Sequence, residues 1–230
     1  MVDAQQQWKQ AAAESAVALV EDGMILGLGT GSTAKLAVDA LGKRVAGGLR
    51  IIGIPTSEAT SQQARSLGIP VSTLDEHPEI ALTIDGADEV EIGPLNLIKG
   101  RGGALLREKI VASASKRLAI IVDESKLVER LGAHFPLPVE LVPFGWRSAA
   151  RRLEALGSKA VLRPGPDGKP FITDGGHYIV DCSFGPIASP AKLESELNSI
   201  VGVVEHGLFL GMATQVIVAG KGGVRTLLPE

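Results

Sequence analysis

With 230 residues, 45% of them apolar, the chain can bury a substantial core, as one large domain or as a main domain with a smaller companion. Aromatic residues make up only 3%, which argues against base-stacking platforms for RNA or single-stranded DNA. A formal net charge of -3 and a pI near 5.9 give no basic footprint for nucleic acid, although local lysines and loop amides still allow an anionic small-molecule substrate.

Residues 4–21 carry Trp8, Ala12, Ala16, Leu19 and Val20 at helical spacing and stop at Asp22-Gly23. Residues 24–28 read as a short buried strand running into a glycine loop. Helices are expected over 33–41, 57–67 and 103–115, with strands at 50–54, 69–74, 80–84 and 118–122. Strands that alternate with helices imply a parallel, doubly wound, Rossmann-like α/β sheet.

The rhythm changes after Phe135-Pro136-Leu137-Pro138. Strands at 139–142 and 160–163 flank a helix at 147–156, and turns at 166–168 and 174–176 separate strands at 170–173 and 178–182. A helix at 190–200 and a strand at 203–209 complete a split β-α-β, ferredoxin-like α+β module. The tail reads as a hairpin, 215–219 with 224–228, that returns to the first sheet. The expected division is a catalytic domain of 1–133 plus 208–230, with 134–207 inserted as the smaller domain.

Cys182 is the sole cysteine, so an internal disulfide and a cysteine-built metal site are both excluded; its expected place is a buried strand end. Residues 1–15 are polar, with Asp3 and Glu14, and lack the basic-then-apolar profile of a signal peptide. No apolar run reaches the length of a membrane span, so a cytoplasmic protein without membrane partners is expected. The histidines (His77, His134, His177, His206) show no metal-like spacing.

Three segments carry chemistry. Gly27-Leu28-Gly29-Thr30-Gly31-Ser32-Thr33-Ala34 follows a strand and opens a helix, where free N–H groups and hydroxyls can face an anion. Its formal match to a dinucleotide fingerprint lacks the acid that should close the second strand, which ends Ile54-Pro55-Thr56-Ser57. A P-loop would need a lysine. A phosphate or carboxylate cradle remains, beside the bland alternative in which Ser32 and Thr33 simply cap the helix.

Asp85-Gly86-Ala87-Asp88-Glu89 follows the fourth strand, at the edge of an open parallel sheet where ligands bind. Asp85 and Asp88 could converge on one site, or make an Asx-turn and a cap. Leu97-Ile98-Lys99-Gly100-Arg101-Gly102-Gly103 enters a second glycine loop and a helix carrying Arg107, Glu108 and Lys109. Lys99 could neutralise an oxyanion and Glu108 could act as a base. The alternative makes Lys99 the end of an edge strand and Arg107 and Glu108 solvated helix residues. Lys126, just past the fifth strand, is a candidate phosphate contact; Lys9 on the first helix is a weaker one.

Together these segments, with 123–126, 135–140 and 202–209, resemble the type A family of ribose-5-phosphate isomerases over almost the whole chain. The resemblance implies cofactor-free, metal-free interconversion of ribose 5-phosphate and ribulose 5-phosphate, in the non-oxidative branch of the pentose phosphate pathway. It implies Glu108 as the base between C1 and C2, with Asp85, Asp88 and Lys99 handling the oxygens of the sugar and its cis-enediolate. Thr30, Gly31, Ser32, Thr33, Gly86, Ala87, Gly100, Arg101, Gly102 and Lys126 would line the substrate, and the chain would form a homodimer or homotetramer. Arg101 departs from the family pattern, where many members have glycine. Related readings on the same kind of sheet are an amino-sugar-phosphate deaminase, an acyl-CoA transferase and a sugar-phosphate sensor domain; the chain has no helix-turn-helix segment or basic N-terminal extension to support the last.

Overall fold

The computed structural model describes residues 4–230; residues 1–3, which include the Asp3 of the polar start and the first residues of the expected catalytic domain, lie outside the described residues. Helix α1 (Ala4–Val17) leads to β1 (Ile25–Leu28), α2 (Ser32–Ala46), β2 (Ile52–Pro55), α3 (Glu58–Ser66) and β3 (Leu82–Asp85). Then come β4 (Glu89–Glu91), β5 (Leu97–Ile98), α4 (Leu105–Ser113), β6 (Leu118–Asp123), a 3-10 turn (Glu124–Lys126) and β7 (Leu127–Val128). The next stretch holds β8 (Leu137–Leu141), α5 (Trp146–Ala155), β9 (Lys159–Leu162), β10 (Tyr178–Ser183), α6 (Pro190–Asn198) and β11 (Val203–His206). Strands β12 (Leu208–Phe209), β13 (Gln215–Gly220) and β14 (Gly223–Leu227) close the chain.

The central sheet runs β14-β13-β6-β3-β1-β2 and is parallel apart from the terminal β13–β14 hairpin. Its strands obey the period of two. Leu26, Ala119, Ile121, Ile217 and Ala219 face one side, where Ala12, Ala13 and Ala16 of α1, Ala37, Val38 and Leu41 of α2, and Ala64 of α3 pack on them. Leu118, Ile120, Val122, Val216 and Val218 face the other, against Ala112 of α4 and Val90, Leu97 and Phe209 of the short strands. Each fully buried Leu, Ile or Val contributes about 1.5–3 kcal/mol, so both faces must be covered for the sheet to persist. This is the doubly wound arrangement expected from the sequence.

The order β11-β8-β10-β9, with α5 and α6 as the two crossovers, makes the second sheet a β-α-β-β-α-β unit whose neighbouring strands are all antiparallel. The hairpin tail joins the first sheet, with Ile217 beside Ile121.

Several elements differ from the expected ones. Residues 69–74 form no strand, only a bridge from Val71 to Gly53, because Pro70 lacks an N–H and the chain turns away. Residues 170–173 likewise make only bridges, from Pro170 to Pro164 and from Ile172 to Tyr178. The stretch 203–209 breaks at Gly207, whose N–H goes to Pro138 and whose carbonyl takes the Lys99 N–H. Its second half belongs to a third sheet, β12-β5-β4-β7, built from strands of two or three residues.

The chain winds outward from β1 to β2 on one side and to β3 and β6 on the other. The carboxyl ends of β1 and β3 therefore form a topological switch point, where a crevice opens. Both the Gly29–Thr33 loop and the Asp85–Asp88 turn leave the sheet there.

Candidate active site

Gly29 is required where β1 meets β3, since a Cβ on it would fall 2.2 Å from Asp85 Oδ1. The Thr30 N–H donates to Asp85 Oδ1 at 3.1 Å, and the Thr30 hydroxyl joins those of Thr56 (2.7 Å), Ser57 (2.9 Å) and Thr60 (3.1 Å). A hydroxyl cluster thus occupies the end of β2, where a dinucleotide site would place its acid. Gly31 is the N-cap of α2 and supplies no side-chain cap, so Ser32 and Thr33 are helical residues rather than caps. The first amides of α2 are left free for an anion.

Asp85 ends β3 with 1% of its surface exposed, and its Oδ1 also accepts the Gly86 N–H at 2.7 Å. Asp88 Oδ2 accepts the Arg101 N–H at 2.9 Å, so this acid ties the turn to the second glycine loop instead of capping a helix. Glu89, buried, takes the N–H groups of Gly132 (2.6 Å), His134 (2.6 Å) and Phe135 (2.9 Å) and so shapes the 132–135 turn.

Strand β5 lies between β12 and β4, so Lys99 leaves an internal strand, not an edge. Its ammonium is 3% exposed and sits 3.0 Å from Asp85 Oδ2 and 3.2 Å from Glu108 Oε1, with a further bond to the Gly86 carbonyl. Glu108 lies in the first turn of α4, 5% exposed, and its Oε2 has no hydrogen-bond partner. The solvated reading of Glu108 and the edge-strand reading of Lys99 therefore fail, while Arg107 does behave as a surface residue, 2.7 Å from Glu58.

One ammonium between two carboxylates in a dry site leaves the second carboxylate uncompensated, so the cluster tends to retain a proton. Burial pushes the Glu108 carboxyl up to about 8; the Lys99 ammonium pulls it down, and the Asp85 and Asp88 carboxylates push it up. Burial likewise raises Asp85 against the pull of Lys99 and of the Gly86 and Thr30 amides. For Lys99 burial opposes the charge, but Asp85 and Glu108 outweigh it and hold its pKa above the ordinary lysine value.

A cavity of about 390 Å³ opens over this cluster, a size suited to a small metabolite. Every site residue expected from the sequence lines it except Asp85, which lies beneath and holds Lys99 and the Thr30 amide. Gln5 and Lys9, one helical turn apart on α1, line it as well; that i, i+4 spacing was a signal for a shared face. The Lys126 ammonium and the Arg101 guanidinium lie 4.7 and 4.9 Å from the centre of the Phe135 ring. Arg101 keeps an ordinary negative φ, and its N–H is engaged by Asp88.

Among the described residues no group of three or more His, Cys, Asp or Glu is arranged to hold a metal ion, and no helix is long and apolar enough to cross a membrane. Cys182 is buried in β10, and burial raises its thiol pKa to about 12. His206, also buried, is pushed down to about 4 by burial and then by Lys109, and lies apart from the cavity lining.

Residues 52–223 match the family model for ribose 5-phosphate isomerase A (phosphoriboisomerase A). The ribose-5-phosphate isomerase A of Gloeobacter violaceus is 63% identical over 222 residues, covering 96% of each chain. The ribose 5-phosphate isomerase A structure from Methanocaldococcus jannaschii superposes with a TM-score of 0.93 at 45% identity, over 97% of this chain and 99% of that one. A D-ribose-5-phosphate isomerase solved in complex with phospho-erythronic acid gives 0.94 at 41% identity, over 97% and 98%.

Proposed function

The chain belongs to the ribose 5-phosphate isomerase A family and is an isomerase of ribose 5-phosphate and ribulose 5-phosphate; on that premise we propose that Glu108 is the base that carries the proton between C1 and C2. The observation that carries this reading is the Glu108 carboxylate, buried, anchored to Lys99 through Oε1 and unpartnered at Oε2 in the cavity wall.

Aldose–ketose isomerisation of the open-chain sugar needs a base that removes a proton from one carbon and returns it to the next, plus positive charge for the oxygens of the cis-enediolate between. A carboxyl with a pKa near 8 is a stronger base than an ordinary glutamate and is still partly ionised at neutral pH. Lys99, reaching Glu108 and Asp85 at once, supplies the cation beside the forming enediolate; Asp88 and the Gly102 amide address the sugar hydroxyls. This chemistry uses the chain's own groups and calls for no cofactor or metal. The free amides of α2, Ser32, Thr33, Lys9 and Lys126 are assigned to the phosphate.

We assign the catalytic domain to 1–133 plus 208–230 and the smaller domain to 134–207, in keeping with the sheet memberships. A cytoplasmic homodimer or homotetramer is the expected working form; Phe144 at 94% and Val201 at 83% exposure, both on the smaller domain, support association. The direct test is a ribose 5-phosphate to ribulose 5-phosphate assay on the purified protein and on Glu108→Gln. Turnover by the wild type and its loss in the variant support the reading; equal turnover in both contradicts Glu108 as base.

A further inference from the structure

The loop from Lys99 to Glu108 has no regular structure of its own until α4 begins, yet it must hold the base, the ammonium and its own amides in register. Its order comes from far away in the sequence. Arg163, just after β9, donates from Nη1 to the Gly100 carbonyl at 2.8 Å and to the Arg101 carbonyl at 3.1 Å. The guanidinium is fixed in turn by Asp181 on β10, through Nε to Oδ2 at 2.9 Å and through Nη2 to Oδ1. The Phe171 ring, 6.0 Å from that guanidinium, occupies the space a Cβ on Gly103 would need, with its Cζ 2.4 Å away from it.

In a planar trans peptide the carbonyl and the following N–H point opposite ways. With both carbonyls drawn to Arg163, the Arg101 and Gly102 N–H groups turn toward the site. The Arg101 N–H holds Asp88 Oδ2. The Gly102 N–H has no protein partner among the described residues, and Gly102 lines the cavity. We infer that Arg163, locked by Asp181, is a positioning residue of the smaller domain that turns the Gly100–Gly102 peptides so that one amide fixes Asp88 and the next is presented to a sugar oxygen.

This inference rests on the isomerase reading for its kinetic consequence but not for its structural one, so two readouts separate them. Steady-state kinetics with ribose 5-phosphate, amide proton–nitrogen spectra of the ligand-free protein and melting temperatures are to be measured for the wild type, Arg163→Ala, Arg163→Lys and Asp181→Asn. Arg163→Ala is expected to lower kcat about 10- to 100-fold, as a small misplacement of reacting groups does. Its KM should stay within about threefold of wild type, and added guanidinium ion should restore part of kcat. The Arg101, Gly102 and Gly103 amide resonances should shift while those of Ser32 and Thr33 stay. Arg163→Lys and Asp181→Asn should give smaller losses of the same kind, and they carry the test if Arg163→Ala does not fold.

A kcat within about twofold of wild type, with unmoved loop amides, overturns the inference. So does a loss that follows melting temperature across the variants and is not rescued by guanidinium, since that is what a merely structural ion pair would give. An inactive wild type whose loop amides still shift in Arg163→Ala contradicts the isomerase reading and supports the positioning.

Discussion

Lys99 Nζ stands 3.2 Å from Glu108 Oε1 with both side chains buried, while Glu108 Oε2 is left with no protein partner. The contact divides one carboxylate into an anchored oxygen and a working one. It also sets the protonation of the site, because the same ammonium serves Asp85 at 3.0 Å.

The first consequence is a pH profile. A base must be ionised to act, so kcat/KM for ribose 5-phosphate should rise with pH through the Glu108 pKa near 8 and level off above it. Lys99 lowers that pKa, so in Lys99→Met the rising limb should move to higher pH and the plateau should fall. Rate profiles over roughly pH 6 to 10 check both shifts. A limb that stays in place in Lys99→Met would break the link.

Stability should show the converse. The folded pKa of Glu108 lies above the unfolded value, so between the ordinary glutamate value of 4.5 and about 8 the native state binds more protons than the unfolded one. Stability from this group is therefore present below that window and is lost as pH rises through it. Glu108→Gln removes the penalty, so the variant should melt above the wild type near the top of the window, and the gap should close toward its bottom. Melting curves at both ends, on the two proteins, test the sign.

With Lys126 assigned to the phosphate, Lys126→Ala should raise KM for ribose 5-phosphate about tenfold with little change in kcat, because a phosphate contact is made equally in the ground and transition states. Inhibition by inorganic phosphate should weaken in parallel. A kcat loss with unchanged KM would move Lys126 from binding into chemistry.

Much of this site was legible because its parts are local. The loops at 29–33 and 85–88 each follow a strand of recognisable period, and an open parallel sheet places such loops on one edge, while 99–108 stands out by its own lysine, glycines and glutamate. Period alone could not find β4, β5, β7 and β12, which are two or three residues long and exist because Leu97 and Phe209 pack on the sheet face. Nor could it place the break at Gly207, which is a hydrogen-bond exchange with Lys99 and Pro138 across the fold. The long-range holders were hidden for the same reason. Glu89 reaches residues 132–135, and Arg163 reaches residues 100 and 101, through contacts that leave no mark at fixed spacing.

Because Lys99 and the loop amides supply the positive charge, dialysis against EDTA should leave the turnover of ribose 5-phosphate unchanged. A loss that a divalent metal restores would contradict that division of labour.

The most direct test of the account is the turnover of Glu108→Gln with ribose 5-phosphate at saturating substrate, alongside its affinity for a non-reacting sugar-phosphate analogue. Glutamine keeps the shape and the contact to Lys99 but cannot take the proton, so kcat should fall by about 10³-fold or more while the analogue still binds. A variant that binds the analogue and turns over at close to the wild-type rate would remove Glu108 from the reaction.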